Sequence, residues 1–287
     1  KVWLLNVPAA HIGSLELQTT FAPSLKNATI AGRVTVLNQS DRPLAAGTLK
    51  LMLTDPFGKV LKSAAYMAGV KMAPWERVDM PLSIHIDDAR GWNAERPNLY
   101  TLAVELSDGG TVIQALAQKV GLRQTTVQGP ALLINGRPVK IRGTCHHDSD
   151  PLLGRAVTPE RTRRDLTLIK QANLNSLRTS HYPPIPELLD IADELGIYVE
   201  DEASFCWVGV SDDLRNGPRI IQLTAELVAR DRNHPSAFMW SLCNESQFGR
   251  GFELSRDWVR AADPSRPLGA ATSEWLDIAT MHNPISI

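Results

Sequence analysis

Cysteine is scarce in this sequence of 287 residues: Cys145, Cys206 and Cys243 are the only three. They cannot all pair within one chain, none stands in a C-x-x-C spacing, and they leave the compartment open between cytoplasmic and periplasmic or secreted. An excess of either charge is also lacking, since 30 Lys and Arg face 31 Asp and Glu. That balance offers no electrostatic footprint for nucleic acid, so polyanions are not expected as partners. No apolar run approaches the ~20 residues that a bilayer span needs, so no membrane partner is expected. The opening KVWLLNVPAA has neither an initiator Met nor a full signal-peptide pattern, which reads as a piece of a longer chain. Glycine-rich G-x-G-x-x-G and G-x-x-x-x-G-K-[ST] loops are missing too, so a nucleotide-binding fold loses ground. What is present is 43% hydrophobic and 21% charged residues, enough for one large core or two ordinary ones.

From about Ala28 to Leu122 apolar residues recur at every second position, as in Leu49, Leu51 and Leu53 and again in Val78, Met80, Leu82, Ile84 and Ile86. This is the pleat of half-buried strands. Further runs at residues 30–36, 100–106 and 112–120 are separated by the turn-rich stretches NQSDRP, TDPFGK and SDGG. Short strands at such spacing predict an immunoglobulin-like β-sandwich over residues 1–124. No Cys precedes Cys145, which excludes the inter-sheet disulfide of antibody domains.

After Gly129-Pro130 the period changes. LLINGRPVKIRG reads as a hairpin turning at Asn135-Gly136. Thr158 caps a predicted helix that starts at Pro159 and turns Leu166 and Ile169 inward. The strand NSLRTS follows, then a helix opened by Pro186, bearing Leu188, Ala192 and Leu195 and closed by Gly196. IYVEDE, AFMWSLCNE and PLGAAT read as buried strands. Between and after them lie helices carrying Ile220, Leu223 and Leu227, then Leu254, Trp258 and Ala262. Alternation of this kind predicts a parallel (β/α)8 TIM barrel over residues 125–287. A complete barrel takes ~250 residues, so an incomplete one of five or six strands, lacking the last, is expected.

Reacting groups in such barrels lie at the C-terminal ends of strands. Here those ends read RGTCHHDSDP, RTSHYP, EDEAS, SLCNES and, for a candidate sixth strand, MHN. Arg, His, Asp, Glu and Asn converge on one rim. In order and spacing, the pieces PNLYTL, VGLR, LLINGRPVKIRG, HHDSDPLLGRA, DLTLIKQANLNSLRTSHYP, LLDIADELGIYVEDEA, RDRNHPSAFMWSLCNES and DPSRP resemble glycoside hydrolase family 2, which includes β-galactosidases, β-glucuronidases and β-mannosidases. The resemblance covers nearly the whole chain. It lacks the family's leading jelly-roll domain and its last barrel strands.

Glycoside hydrolysis needs a carboxylic acid at the leaving oxygen and a second carboxylate opposite it. Glu245 fits the first role, because it follows a buried strand whose partial desolvation would raise its pKa. The resemblance implies that Asn244 donates to the sugar 2-hydroxyl, that His181 and His147 bind the sugar, and that Arg178 orients the nucleophile. A buried ion pair is the structural alternative for Arg178. His146 is expected to shape the rim. Asp201 and Glu202 are expected to support the arginine or the substrate. Trp240 reads as core and Trp207 as a surface on which a sugar can stack. His282 falls roughly where many relatives carry a Tyr.

Some β-galactosidases place a magnesium-binding Glu at position 206 and a His at 208; here these are Cys206 and Val208. No strong magnesium requirement and no cofactor are therefore expected. Glu274, just past the fifth strand, lies too early for the family's nucleophile, and the chain alone is expected to be inactive. The resemblance implies a retaining β-glycosidase with a carbohydrate substrate. The His147 loop puts β-galactosidase first, then β-glucuronidase or β-mannosidase; homo-oligomerisation stays open. Two readings from other classes are a non-catalytic carbohydrate-binding protein and a metal-dependent barrel hydrolase using Cys145, His146, His147, Asp148 and His181.

Overall fold

A computed structural model describes residues 4–61, 68–271 and 276–280. The chain forms two compact units, Lys1–Gly91 with Asn98–Leu122, and Trp92–Pro97 with Arg123–Ile287. Trp92–Pro97, which a boundary at residue 124 would leave with the sandwich, packs with the second unit. The reason is Trp92, whose buried ring meets Tyr198 edge-on at 5.6 Å and whose indole N–H donates to the Asp193 carbonyl at 2.9 Å.

The first unit is a sandwich of two antiparallel sheets. One contains β1 (Ala10–Phe21), β2 (Ala28–Asn38) and β5 (Arg77–Ile86) in the order β1-β2-β5. The other contains β3 (Leu44–Thr54), β4 (Ala68–Met72), β6 (Tyr100–Asp108) and β7 (Thr111–Val120) in the order β4-β3-β6-β7. Leu49, Leu51 and Leu53 alternate inward onto Leu102, Val104 and Leu106 opposite them in register, as the period predicts. β1 is not legible from periodicity, since a register shift between Ile12 and Ser14 breaks its alternation. At Gly32, on β2 opposite, a Cβ would meet the Glu16 carbonyl oxygen at 1.9 Å, so only glycine permits the approach.

The second unit opens with β8 (Thr125–Gln128), β9 (Ala131–Ile134) and β10 (Arg137–Pro138). Asn135 and Gly136 turn between the last two with φ of 51° and 72°, both positive as a type I′ turn requires. Six parallel strands then pair in chain order: β11 (Gly143–His146), β12 (Ser176–Thr179), β13 (Tyr198–Glu202), β14 (Ala237–Ser241), β15 (Leu268–Ala271) and β16 (Ile278–Thr280). Four helices interleave them: α1 (Pro159–Gln171), α2 (Pro186–Leu195), α3 (Gly217–Asp231) and α4 (Arg250–Ala262). This is barrel topology.

Capping follows local chemistry. The Arg161 N–H donates to Thr158 Oγ1 at 3.3 Å, and Gly196 closes α2 in the left-handed region at φ 71°. On α4 the buried face is Phe252, Ser255 and Val259, not the expected Leu254, Trp258 and Ala262, which are only half-buried. Trp258 borders the core without forming its centre.

Parts of three of the resembling pieces hold the fold together. Asp193 accepts from His234 Nδ1 at 2.7 Å and from the Ser236 N–H at 2.8 Å, ordering the turn before β14. In the DPSRP run, Asp263 accepts from the Trp240 indole at 3.0 Å and from Arg266 Nη1 at 2.6 Å, and Arg266 Nη2 donates to the Arg232 and His234 carbonyls. Trp240 is thus core, as its position within a buried strand implies.

Candidate active site

The carboxyl ends of β11 to β14 bring a polar cluster together. Arg178, inside β12, is buried and reaches across to β13 and the residues after β14. Its Nη2 donates to Glu202 Oε2 and, at 2.9 Å, to Asn244 Oδ1, while Nε lies 3.4 Å from Glu200 Oε1. Burial alone would lower the guanidinium's pKa, but Glu202 and Glu200 outweigh it and hold it above the ordinary arginine value. Glu202 also accepts from Ser241 Oγ at 2.8 Å and from His181 Nδ1 at 2.7 Å. One side chain makes both the ion pair that is the structural alternative for Arg178 and a contact with Asn244 that the sequence does not reveal.

Glu200 sits beneath them. Burial pushes its carboxyl up to about 7 against the pull of Arg178, which leaves Glu202 as the principal counter-ion of the guanidinium.

Asp201 does not join this cluster. Successive side chains of a strand point to opposite faces, so Asp201 faces the helix layer while its neighbours face Arg178. There it is fully buried beside Asp231, whose carboxylate takes a two-pronged bond from Arg230 at 2.7 and 2.6 Å. Burial and the adjacent Asp231 raise the Asp201 pKa well above its ordinary value. A carboxyl raised on folding stabilises the protein when protonated, and that contribution is lost as pH rises from the unfolded value towards the folded one. Asp201→Asn carries an amide that mimics the protonated acid. Its melting temperature relative to wild type should therefore climb as pH rises above about 4, the unfolded carboxyl's range. A difference independent of pH would show that Asp201 is ionised in the fold.

At the mouth, His147 meets His181 edge-on with ring centroids 5.6 Å apart, and lies 6.0 Å from Tyr182, over whose ring the Arg155 guanidinium sits at 4.0 Å. Desolvation, then the charges of His181 and Arg155, lower the His147 pKa. His146 turns away to Asp148 and Asp165, at 3.8 and 3.7 Å, in keeping with a rim-shaping role.

Glu245 stands at the rim with φ 41° and is exposed, so the burial expected around it is not found among the described residues. Its Oε2 accepts from the Trp207 indole N–H at 2.7 Å, a contact that sequence spacing does not reveal. Trp207 itself is 77% exposed. His282 and Glu274 lie outside the described residues.

The magnesium that some family members hold at this rim meets an unsuitable donor set. Cys206 Sγ accepts from Asn244 Nδ2 at 3.2 Å, and Val208 has no donor atom. A hard cation wants oxygen ligands, not a thiol already engaged with an amide. Among the described residues no group of three His, Cys, Asp or Glu side chains is placed to hold a metal ion. A chelator is expected to leave turnover of the full-length protein nearly unchanged; a large loss reversed by magnesium would show that other residues build such a site.

The comparisons agree with this geometry. The model for the TIM barrel domain of glycosyl hydrolases family 2 matches residues 125–283, and the family's other model, glycosyl hydrolases family 2, matches residues 10–123. Among solved structures, the β-glucuronidase of Parabacteroides merdae superposes with a TM-score of 0.84 at 21% identity over 96% of this chain and 35% of its own. A family 2 member from Bacteroides cellulosilyticus gives 0.83 at 24% over 96% and 39%, and a β-glucuronidase of Bacteroides uniformis 0.84 at 23% over 95% and 37%. The chain thus spans well under half the length of these structures, which share its fold. With both models matching in order along nearly its whole length, the chain belongs to glycosyl hydrolases family 2.

Proposed function

We propose that the protein is a retaining β-glycosidase in which Glu245 is the acid/base. The observation that carries this reading is the placement of Asn244-Glu245 directly after β14, with the Asn244 amide held between Arg178 and Cys206. With Oδ1 accepting from the arginine and one N–H given to the thiol, the remaining N–H of Asn244 is left for a sugar hydroxyl. Glu245 then protonates the departing oxygen and, in the second half-reaction, takes a proton from water. His181, with Nδ1 bonded to Glu202, keeps Nε2 for the sugar. Glu202 is not the nucleophile, because it is fully buried and held by Arg178, His181 and Ser241. A retaining course is supported by another similar structure, a β-glucuronidase of Bacteroides uniformis covalently bound to cyclophellitol-6-carboxylate aziridine.

For the sugar, a β-glucuronide is the reading we favour. Arg155 sets a positive charge, and His147 and His181 imidazoles able to hydrogen-bond, around the mouth, which suits a sugar carboxylate, and several similar structures are β-glucuronidases. A β-galactoside is the second reading, carried by His147 in the loop after β11. A panel of aryl β-glycosides assayed on the full-length protein decides. Faster turnover of the glucuronide is expected; preference for the galactoside would reverse the order, and binding without turnover of any member would mark a non-catalytic carbohydrate-binding protein.

A further inference from the structure

We propose that Trp207 is a positioning residue for the acid/base: its indole N–H fixes which oxygen of Glu245 carries the transferable proton. This rests on the reading of Glu245 given above. The indole donates to Oε2 at 2.7 Å. An oxygen that accepts from a fixed donor is a poor seat for a proton, so the indole disfavours protonation at Oε2. When Glu245 is ionised, between the two half-reactions, the same N–H stabilises the carboxylate.

The backbone holds this pair in place from both sides. Cys206 and Asn244 form a parallel bridge, in which the Asn244 N–H donates to the Phe205 carbonyl at 2.7 Å and the Trp207 N–H to the Asn244 carbonyl at 3.2 Å. One residue further on, the Val208 N–H donates to Ser246 Oγ at 2.9 Å. Trp207 and Glu245 each follow a partner of that bridge, and both sit in the left-handed region, at φ 59° and 41°. A β-branched or bulky residue rarely adopts that conformation, and an aromatic and a carboxylate held there together mark a constrained pair. Trp207 as a whole stays 77% exposed while bonded to Glu245.

Three variants of the full-length protein test this on a slow-leaving aryl β-glycoside. Trp207→Phe keeps an aromatic face but no donor; kcat should fall about tenfold, the loss of a hydrogen bond to a charged group. KM should stay nearly constant, and the alkaline limb of the pH profile should move to higher pH, because a carboxyl without its donor is harder to ionise. Trp207→His keeps an N–H donor and should recover part of kcat and return the limb towards wild type. In a Glu245→Ala background, Trp207→Phe should have no further effect. Wild-type kcat and pH profile in Trp207→Phe would overturn the proposal, as would a change confined to KM, which is the mark of sugar stacking alone. Glu245→Ala is read separately: if it lacks the leaving-group dependence of an acid/base, the reading of Glu245 fails first. Melting temperatures accompany each variant, and a Trp207→Phe protein that melts like wild type yet keeps an unshifted limb counts against the proposal.

Discussion

Glu245→Ala in the full-length protein is expected to slow hydrolysis of poor leaving groups by about 10²–10⁴-fold, the usual worth of a positioned general acid. Activated aryl glycosides should lose far less, because their leaving groups depart without a proton. Added azide should restore part of the turnover by entering where base-assisted water would act. The structure sharpens this expectation. Glu245 is exposed and meets Trp207 at the rim, so the fold should survive its removal. A loss that is equal on good and poor leaving groups, with no azide effect, would remove Glu245 from the acid/base role.

Arg178→Met should instead damage both stability and activity. The side chain is only 8% exposed and faces two carboxylates, one of them fully buried. Deleting one partner of such a cluster strands a buried charge, at a cost of about 3–5 kcal/mol. Glu200, already pushed up to about 7, can relieve part of the strain by taking a proton, while Glu202 stays held by His181 and Ser241. The Asn244 amide also loses its donor and with it a defined orientation. The double variant Arg178→Met, Glu202→Gln removes both charges and should recover much of the stability while remaining inactive. Denaturant unfolding measures the first, and turnover of an aryl glycoside the second. A stable single variant with normal turnover would mean that the cluster is neither a stability element nor a holder of Asn244.

Much of the architecture was legible because it depends on neighbours in the chain. The Asn135-Gly136 turn, the Thr158 cap, the Gly196 stop and the order of strands and helices all follow from short-range chemistry and period. β1 escaped because a bulge shifts its phase, and α4 was turned by about one residue because Phe252, Ser255 and Val259 fill the space that the core leaves. A stripe of apolar residues at helical spacing does not say which edge of itself will be innermost.

At the rim, sequence alone determined which residue types gather at the strand ends, and with them Glu245, Asn244, His181, His147 and Arg178 as candidates. Tertiary structure decided how they divide. Glu202, and not Asp201, meets Arg178 because the register of β13 against β12 sets which face of the strand looks inward. Trp207 meets Glu245 through a bridge between loops 38 residues apart, a contact no local pattern encodes. Period and caps are properties of a few consecutive residues; the partner of a side chain at the end of a strand depends on register and loop closure between segments distant in the chain.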